Sequence, residues 1–397
     1  MWRRISWLAV VMACGATPTS DDTVDPTGDA STTAEDPTWE PDSPLPPELD
    51  FPPYLNLLDG TTVVVSWRTV APSTGVVRFG TTAAFGDELA TSTAANLHHV
   101  VLANLTAGAA YHYEVGIDGT SVKRGGVFVM PGRAHWRFVS FGEFHAPSES
   151  TGVALFAASI REFRPHVLLE SGDMVDLGTS LANWRSYFRT SAPWISNVLL
   201  IPAHSNHVNG DGGNANLMDL VVVANNERWF TTRYGQAEFF SLDSTFDANA
   251  DVESGELPWL AGEVALAHDG LDDPTFVIGA WHYPACSSQY ASRSNARAWV
   301  QNNLVKTFKD NGGVDLILAA HDKYFERSTI TGGIVHLITN IGNVSPEIPS
   351  GNHPDCTSVT MNRTTRSTAL FTLDGSTLSA KVIDETGAEL DTFAIAK

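Results

Sequence analysis

The chain has 397 residues, of which 43% are hydrophobic and 17% charged, with a formal net charge of −21. That length is enough for two well-packed domains, and the composition is that of a soluble globular protein. The acidity excludes nucleic acid as an expected partner, because phosphate backbones are held by basic stripes.

The first fourteen residues, "MWRRISWLAVVMAC", join two arginines to an apolar run. The run is roughly nine residues long, the length of a signal h-region and too short to span a bilayer. Its end, "VMAC", resembles the lipobox of bacterial lipoproteins. That resemblance implies a lipid anchor on Cys14 and an extracytoplasmic address, with the outer membrane or cell surface favoured. An ordinary signal peptide, and so secretion, is the alternative. Residues 15–50 hold ten Asp or Glu and no Lys or Arg, among many Pro, Thr and Ser. Such a segment buries too little apolar surface to order itself, so it is predicted to be a disordered tether. With Cys14 lipidated, Cys286 and Cys356 remain. They read as one disulfide or as two buried thiols, and an oxidising compartment favours the bridge.

From residue 51 the chain turns to short strands. "TTVVVSWRT" (61–69), "GVVRFG" (75–80), "HHVVLANL" (98–105), "AYHYEVGI" (110–117) and "GGVFVM" (125–130) are separated by turn residues. Even spacing and β-branched enrichment predict an antiparallel sandwich over 51–132, with Trp67 in its core. His98, His99 and His112 are expected at its surface or in strand pairing.

Over 133–397 the style changes. "RFVSF" (137–141), "HVLLE" (166–170), "NVLLI" (197–201), "FFSLD" (239–243), "TFVIGAW" (275–281) and "VDLILA" (314–319) are short and almost wholly apolar. Strands buried on both faces read this way. "GVALFAASIREF" (152–163) and "ARAWVQNNLVKTFKDN" (296–311) have helical spacing, the second stopping at Gly312-Gly313. Four further strands are predicted near the C-terminus. The expected fold is an α/β domain of two mixed β-sheets flanked by helices, behind an N-terminal all-β sandwich.

Polar residues follow the apolar runs. "GEFH" (142–145) brings Glu143 and His145, "SGDMVD" (171–176) Asp173 and Asp176, and "SNHV" (205–208) Asn206 and His207. "HYP" (282–284) brings His282, and "AHDKYFER" (320–327) His321. In α/β folds sites form at the carboxyl ends of strands. Five strand ends bearing such groups are hard to explain by packing, since burying them is costly unless something pairs them, and a divalent metal does so. Mixed nitrogen and oxygen donors suit zinc, iron or manganese.

The order of these motifs resembles that of the calcineurin-like metallophosphoesterases. With the preceding sandwich and "YFER" after the last motif, it looks most like purple acid phosphatases. The resemblance covers about residues 51–340. It implies a fibronectin-III-like domain at 51–132, a two-metal site and hydrolysis of small phosphate esters. By position it makes Asp173, Asn206, His282 and His321 one complete metal site. Asp173 is the bridge, and His207 is the acid that protonates the leaving oxygen.

The second metal site departs from the family pattern. Glu143 stands for an aspartate, His145 matches a known variant, and Lys323 replaces the final histidine. Asp176 is expected either to fill that gap as a ligand or, with Glu143, to be neutralised by Lys323. The motif glycines are Ser205 and Ala320, and the carboxylate that usually follows the catalytic histidine is Val208. Arg293 and Lys323 are the expected substrate-binding residues, Arg293 because a guanidinium grips phosphate oxygens in a fork. Glu326 and Arg327 are expected to pair with each other. The leading reading is an envelope-anchored metal-dependent phosphomonoesterase. The alternative is a non-catalytic relative that keeps the fold for surface binding.

Overall fold

The computed structural model describes residues 36–41, 43–209, 214–245, 252–289, 294–345 and 351–397. Cys14, Arg293 and most of the expected tether lie outside them. The N-terminal third supplies β1 (Leu49–Asp59), β2 (Thr62–Ser73), β3 (Gly75–Gly80), β4 (Asp87–Ala90), β5 (Ala95–Leu102), β6 (Ala110–Ile117) and β7 (Thr120–Val129). Next come β8 (His135–Phe141), α1 (Ser150–Ala154), α2 (Ala157–Phe163), β9 (Val167–Glu170), α3 (Leu181–Thr190), β10 (Leu199–Pro202), α4 (Asn206–Asn209) and α5 (Asn214–Leu220). The second half holds β11 (Phe230–Tyr234), β12 (Ala237–Ser241), α6 (Leu257–Leu266), β13 (Phe276–Ala280), α7 (Ser294–Val300), α8 (Lys306–Asn311), β14 (Leu316–Ala319), β15 (Phe325–Ile330) and β16 (Ile334–Ile338). It closes with β17 (Cys356–Asn362), β18 (Thr368–Asp374), β19 (Thr377–Ile383) and β20 (Glu389–Ala396).

Two large mixed sheets organise the body. One runs β20-β19-β18-β8-β9-β10-β1-β2-β5, the other β11-β12-β13-β14-β16-β15-β17. The centres of both are parallel, through β8-β9-β10-β1 and β12-β13-β14-β16. The all-apolar strands explain the layering. Along β9 and β10, Val167, Leu169, Leu199 and Ile201 share a core cluster with Phe239, Ile278, Leu316 and Leu318 of the other sheet. The alternate residues, Leu168 and Leu200, pack with Trp184, Tyr187 and Phe188 of α3. On the far side Val277 and Ile317 pack with Leu260, Val264 and Phe308 of α6 and α8. Period-two strands with both faces covered thus give helix, sheet, sheet, helix.

The sheet does not stop where the strand style changes. Strand β1 pairs in parallel with β10 at Leu55 and Leu199, so β1, β2 and β5 extend the first large sheet. Strands β4-β3-β6-β7 form a separate four-stranded sheet. Trp67 is fully buried, as expected. His98 lies in strand pairing, one of the two places expected for it: it is opposite Trp67 across β2 and β5, 2% exposed, and stacks on the Trp67 ring at 4.7 Å.

Two other expectations change. The compact body begins at Pro37, inside the segment expected to be a disordered tether. Trp39 is buried there, and Arg161 donates to the Glu40 carbonyl at 2.6 Å. One large indole and a guanidinium contact fix a stretch that its charge alone would leave free. The helix expected over 152–163 is two helices, α1 and α2. The helix expected over 296–311 runs from α7 through a wide π-type turn at Gln301–Val305 into α8, and ends at Gly312 with φ 140°. Among the described residues no helix is long and apolar enough to cross a membrane.

Candidate functional site

The loops after β8, β9, β10, β13 and β14 meet at one edge of the two sheets. The first two run side by side, Glu143 N–H donating to the Gly172 carbonyl and His145 N–H to that of Asp173. Glycine is needed where they touch. A Cβ on Gly172, at φ +95°, would lie 2.7 Å from Ser205 Cβ and 2.8 Å from His282 Nδ1. The backbone is also bent at the polar residues themselves. Glu143, His145, Asp173 and His321 all have φ between 45° and 66°. A non-glycine residue there costs roughly 1–3 kcal/mol, and such outliers collect at functional sites. Aspartate and histidine adopt this conformation more readily than most residues, but glutamate does not, so Glu143 is the position that the sequence leaves unmarked.

Glu143 lies at the centre. It is fully buried, its Oε2 is 3.0 Å from His145 Nε2, and its Oε1 accepts from His321 N–H at 2.6 Å. His282 Nε2 is 3.2 Å from Asp173 Oδ2, 3.8 Å from Glu143 Oε1 and 3.1 Å from His321 Nδ1. His282 Nδ1 donates to the Ser171 carbonyl at 3.0 Å. Its Nε2 is therefore the ring nitrogen that faces the two carboxylates, where a proton or a metal ion would be favoured. Asp173 is held from behind: its N–H donates to Ser205 Oγ at 2.8 Å, and its Oδ1 accepts from His207 N–H at 3.2 Å. The serine in the place of a motif glycine thus supports the bridging position.

Two groups of ligand atoms converge. Glu143, Asp173, His282 and His321 form one, and His145, Asp173 and His207 the other, each with its atoms within 4.8 Å. Asn206, at the start of α4, has a buried Oδ1 without a hydrogen-bond partner. A buried carbonyl oxygen left alone is costly. Buried carboxylates and imidazole nitrogens converging in this way are the donor set a divalent metal satisfies, and the unpartnered Asn206 amide oxygen, one residue before His207, is a further oxygen donor, so these residues fit the metal that the motifs imply.

Electrostatics agree with that fit. Burial would raise the Asp173 carboxyl, but the neighbouring His282, then His145 and His207, outweigh it and hold the group well below the usual range. Burial would lower His282 and His145. Asp173 and Glu143 raise His282 instead, and Glu143 and then Asp173 raise His145. The metal-free cluster thus stores protons on its imidazoles to balance its carboxylates.

Asp176 joins neither group. Its two carboxylate oxygens accept from Ser148 N–H at 3.0 Å and from Ser148 O–H at 2.7 Å, and it faces His145 Nδ1 at 3.4 Å. Asp176 thus meets His145 at the ring nitrogen opposite the one that meets Glu143. Lys323 reaches the cluster, with Nζ 3.9 Å from Glu143 Oε2. The His207 ring meets the His145 ring edge-on at 4.6 Å, and Val208 is buried in the apolar core under α3. Tyr283, 7% exposed, packs its ring 4.4 Å from His321. Cys286 and Cys356 are joined in a disulfide.

Glu326 and Arg327 do not pair with each other. They are neighbours on β15 and point to opposite faces. Glu326 accepts from Ser288 and Tyr324, while Arg327 pairs with Asp391 at 2.6 Å. Sequence reasoning also missed a buried network behind the last motif. Arg297 and Asp322 form an ion pair, each about 1% exposed, and Ser287 O–H also donates to Asp322. Asp322 lies between His321 and Lys323, so the pair fixes the turn that carries both.

Residues 52–128 match the family described as the purple acid phosphatase N-terminal domain. No curated protein matches the chain. Among solved structures, a purple acid phosphatase, PPD1, from yellow lupin seeds is 15% identical, with a TM-score of 0.68 over 87% of this chain and 74% of its own. PhoD is 10% identical, with a TM-score of 0.60 over 88% of this chain and 94% of its own. GAP50, the anchor in the inner membrane complex of Plasmodium, is 14% identical, with a TM-score of 0.53 over 66% of this chain and 89% of its own. Residues 52–128 thus match the purple acid phosphatase N-terminal domain, and the chain has the fold of the lupin purple acid phosphatase and of PhoD.

Proposed function

We propose that this protein is a metal-dependent phosphoesterase, acting on small phosphomonoesters outside the cytoplasm. The observation that carries the reading is the convergence of ligand atoms from Glu143, Asp173, His282 and His321 within 4.8 Å of one another. Asp173, Asn206, His282 and His321 would hold a zinc, iron or manganese ion, with Glu143 beside them. Bound there, a divalent ion supplies Lewis acidity toward phosphate oxygens and lowers the pKa of the attacking water.

The chain's own groups do the rest. His207 Nδ1 donates to the Asp176 carbonyl, which leaves Nε2 facing the cluster, 4.0 Å from Asp173 Oδ2. As water oxygen bonds to phosphorus and the ester P–O bond breaks, His207 Nε2–H gives its proton to the leaving oxygen. The proton lost by the attacking water makes the balance good. The Lys323 ammonium near Glu143 suits a dianionic monoester better than a singly charged diester. The test is hydrolysis of p-nitrophenyl phosphate against bis(p-nitrophenyl) phosphate, with metal added back to metal-free protein. Faster monoester turnover that disappears in Asp173→Ala and His282→Ala supports the reading.

A second reading is a non-catalytic binding protein. The replacement of a metal-binding histidine by Lys323 and the burial of Val208 beside His207 favour it, and GAP50 is described as an anchor. It predicts no metal-stimulated turnover of either ester. For location we propose a lipid anchor at Cys14. Its support is the N-terminal sequence together with the Cys286–Cys356 bridge, which belongs to oxidising compartments. Intact-mass measurement of membrane-extracted protein tests it.

A further inference from the structure

We propose that the site holds one divalent cation, and that the Lys323 ammonium group is its second positive charge, set to grip the substrate phosphate. This deepens the metal-dependent reading above and rests on it.

Three observations carry the inference. The first is position. Lys323 Nζ is 3.9 Å from Glu143 Oε2, the same oxygen that lies 3.0 Å from His145 Nε2. The ammonium therefore stands beside the His145, Asp173 and His207 group, and the Lys323 side chain is one-third exposed. At that distance the contact with Glu143 is electrostatic rather than a hydrogen bond, so the three N–H donors remain available for phosphate oxygens.

The second is the absence of a replacement ligand from Asp176. Both its oxygens are engaged by Ser148, and what it faces is His145 Nδ1. The residue that the sequence offers to compensate for the missing histidine thus lies outside both groups of converging ligand atoms. The first group, by contrast, brings four ligand atoms, from Glu143, Asp173, His282 and His321, within 4.8 Å of one another.

The third is charge. Glu143, Asp173 and Asp176 carry three negative charges around the cluster. One divalent ion and one ammonium carry three positive charges, which balance them. Two divalent ions together with the ammonium would carry five, with the lysine repelling whichever ion bound Glu143 Oε2. Lys323 is also not free to leave. Its carbonyl accepts from Ser345 N–H at 3.0 Å, and the preceding Asp322 is pinned by Arg297 and Ser287.

The experiment is calorimetric zinc titration of the metal-free full chain, with elemental analysis after gel filtration. Inorganic phosphate binding to the zinc-loaded protein is then measured. The wild type is expected to take one zinc per chain, and Lys323→His two. Lys323→Gln should keep one zinc, melt like the wild type and bind phosphate about tenfold more weakly. Two zinc ions in the wild type overturn the inference and leave the metal-dependent reading standing. No zinc at all overturns that reading as well. A single zinc in Lys323→His shows that the lysine is not what excludes the second ion. Unchanged phosphate affinity in Lys323→Gln removes its role as a clamp.

Discussion

His207 Nδ1 donates to the backbone carbonyl of Asp176 at 2.7 Å. A carbonyl oxygen only accepts, so this contact fixes the proton on Nδ1 and turns Nε2 toward the cluster. The usual acidic neighbour is replaced by buried Val208, so a backbone dipole orients this imidazole instead of a carboxylate. His207→Ala is expected to lower kcat by about 10²–10⁴. The loss should be greater for an alkyl phosphate than for p-nitrophenyl phosphate, whose leaving group needs no proton. Equal losses for the two substrates would remove His207 as the acid.

Metal binding should release protons. His145 and His282 are raised in the metal-free protein, so their contribution to stability is fully present below about pH 6.5 and is lost as pH rises through the raised values. Asp173 is depressed, so its contribution is present above about pH 3.9 and is lost as pH falls through its folded value. A metal ligand must shed its proton first. The melting temperature of the metal-free protein is expected to fall between pH 6 and 8.5, while the zinc-loaded protein gains. The gap between the two forms should widen with pH. A constant gap would show that the imidazoles do not exchange protons for metal.

The buried Arg297–Asp322 pair should matter more than any surface pair. Removing one partner of a buried ion pair leaves an uncompensated charge and costs about 3–5 kcal/mol. Arg297→Met is expected to lose that much in denaturant unfolding and to weaken zinc binding through His321. Arg297→Met with Asp322→Leu should recover most of the stability, since the stranded charge is gone. If the double variant is no better than the single one, the pair acts through packing rather than charge.

The legible parts of the sequence were those set by period. Strands with both faces buried announced themselves as short apolar runs, and the polar residues after them marked the site. Strand β1 was hidden because "LDFPPYLNLLD" contains Pro52 and Pro53, which cannot donate to a ladder. The structure accommodates them with register shifts against β2 around Phe51 and Tyr54. The surroundings of Asp176 were not legible, because they depend on Ser148, 28 residues away, whose N–H and O–H both reach its carboxylate. The Arg297–Asp322 contact and the turned backbone at Glu143 and His321 come from tertiary packing, which no local pattern encodes.

The Cys286–Cys356 bridge closes a loop of 70 residues that contains α7, α8, β14, β15 and β16, and so also His321 and Lys323. Loop closure of that length restricts the unfolded chain by about 4 kcal/mol. Gln301 Nε2 lies 3.2 Å from Cys356 Sγ, so the sulfurs sit against the wide turn between α7 and α8. His282 and His321 follow directly on β13 and β14, which are held by the sheet rather than by the bridge. Replacing both cysteines with serine is therefore expected to lower the guanidinium midpoint by the equivalent of about 4 kcal/mol while leaving zinc stoichiometry unchanged. An unchanged midpoint would mean that the loop is already ordered in the unfolded chain. A lost zinc would mean that the bridge, and not the strands, positions the two histidines.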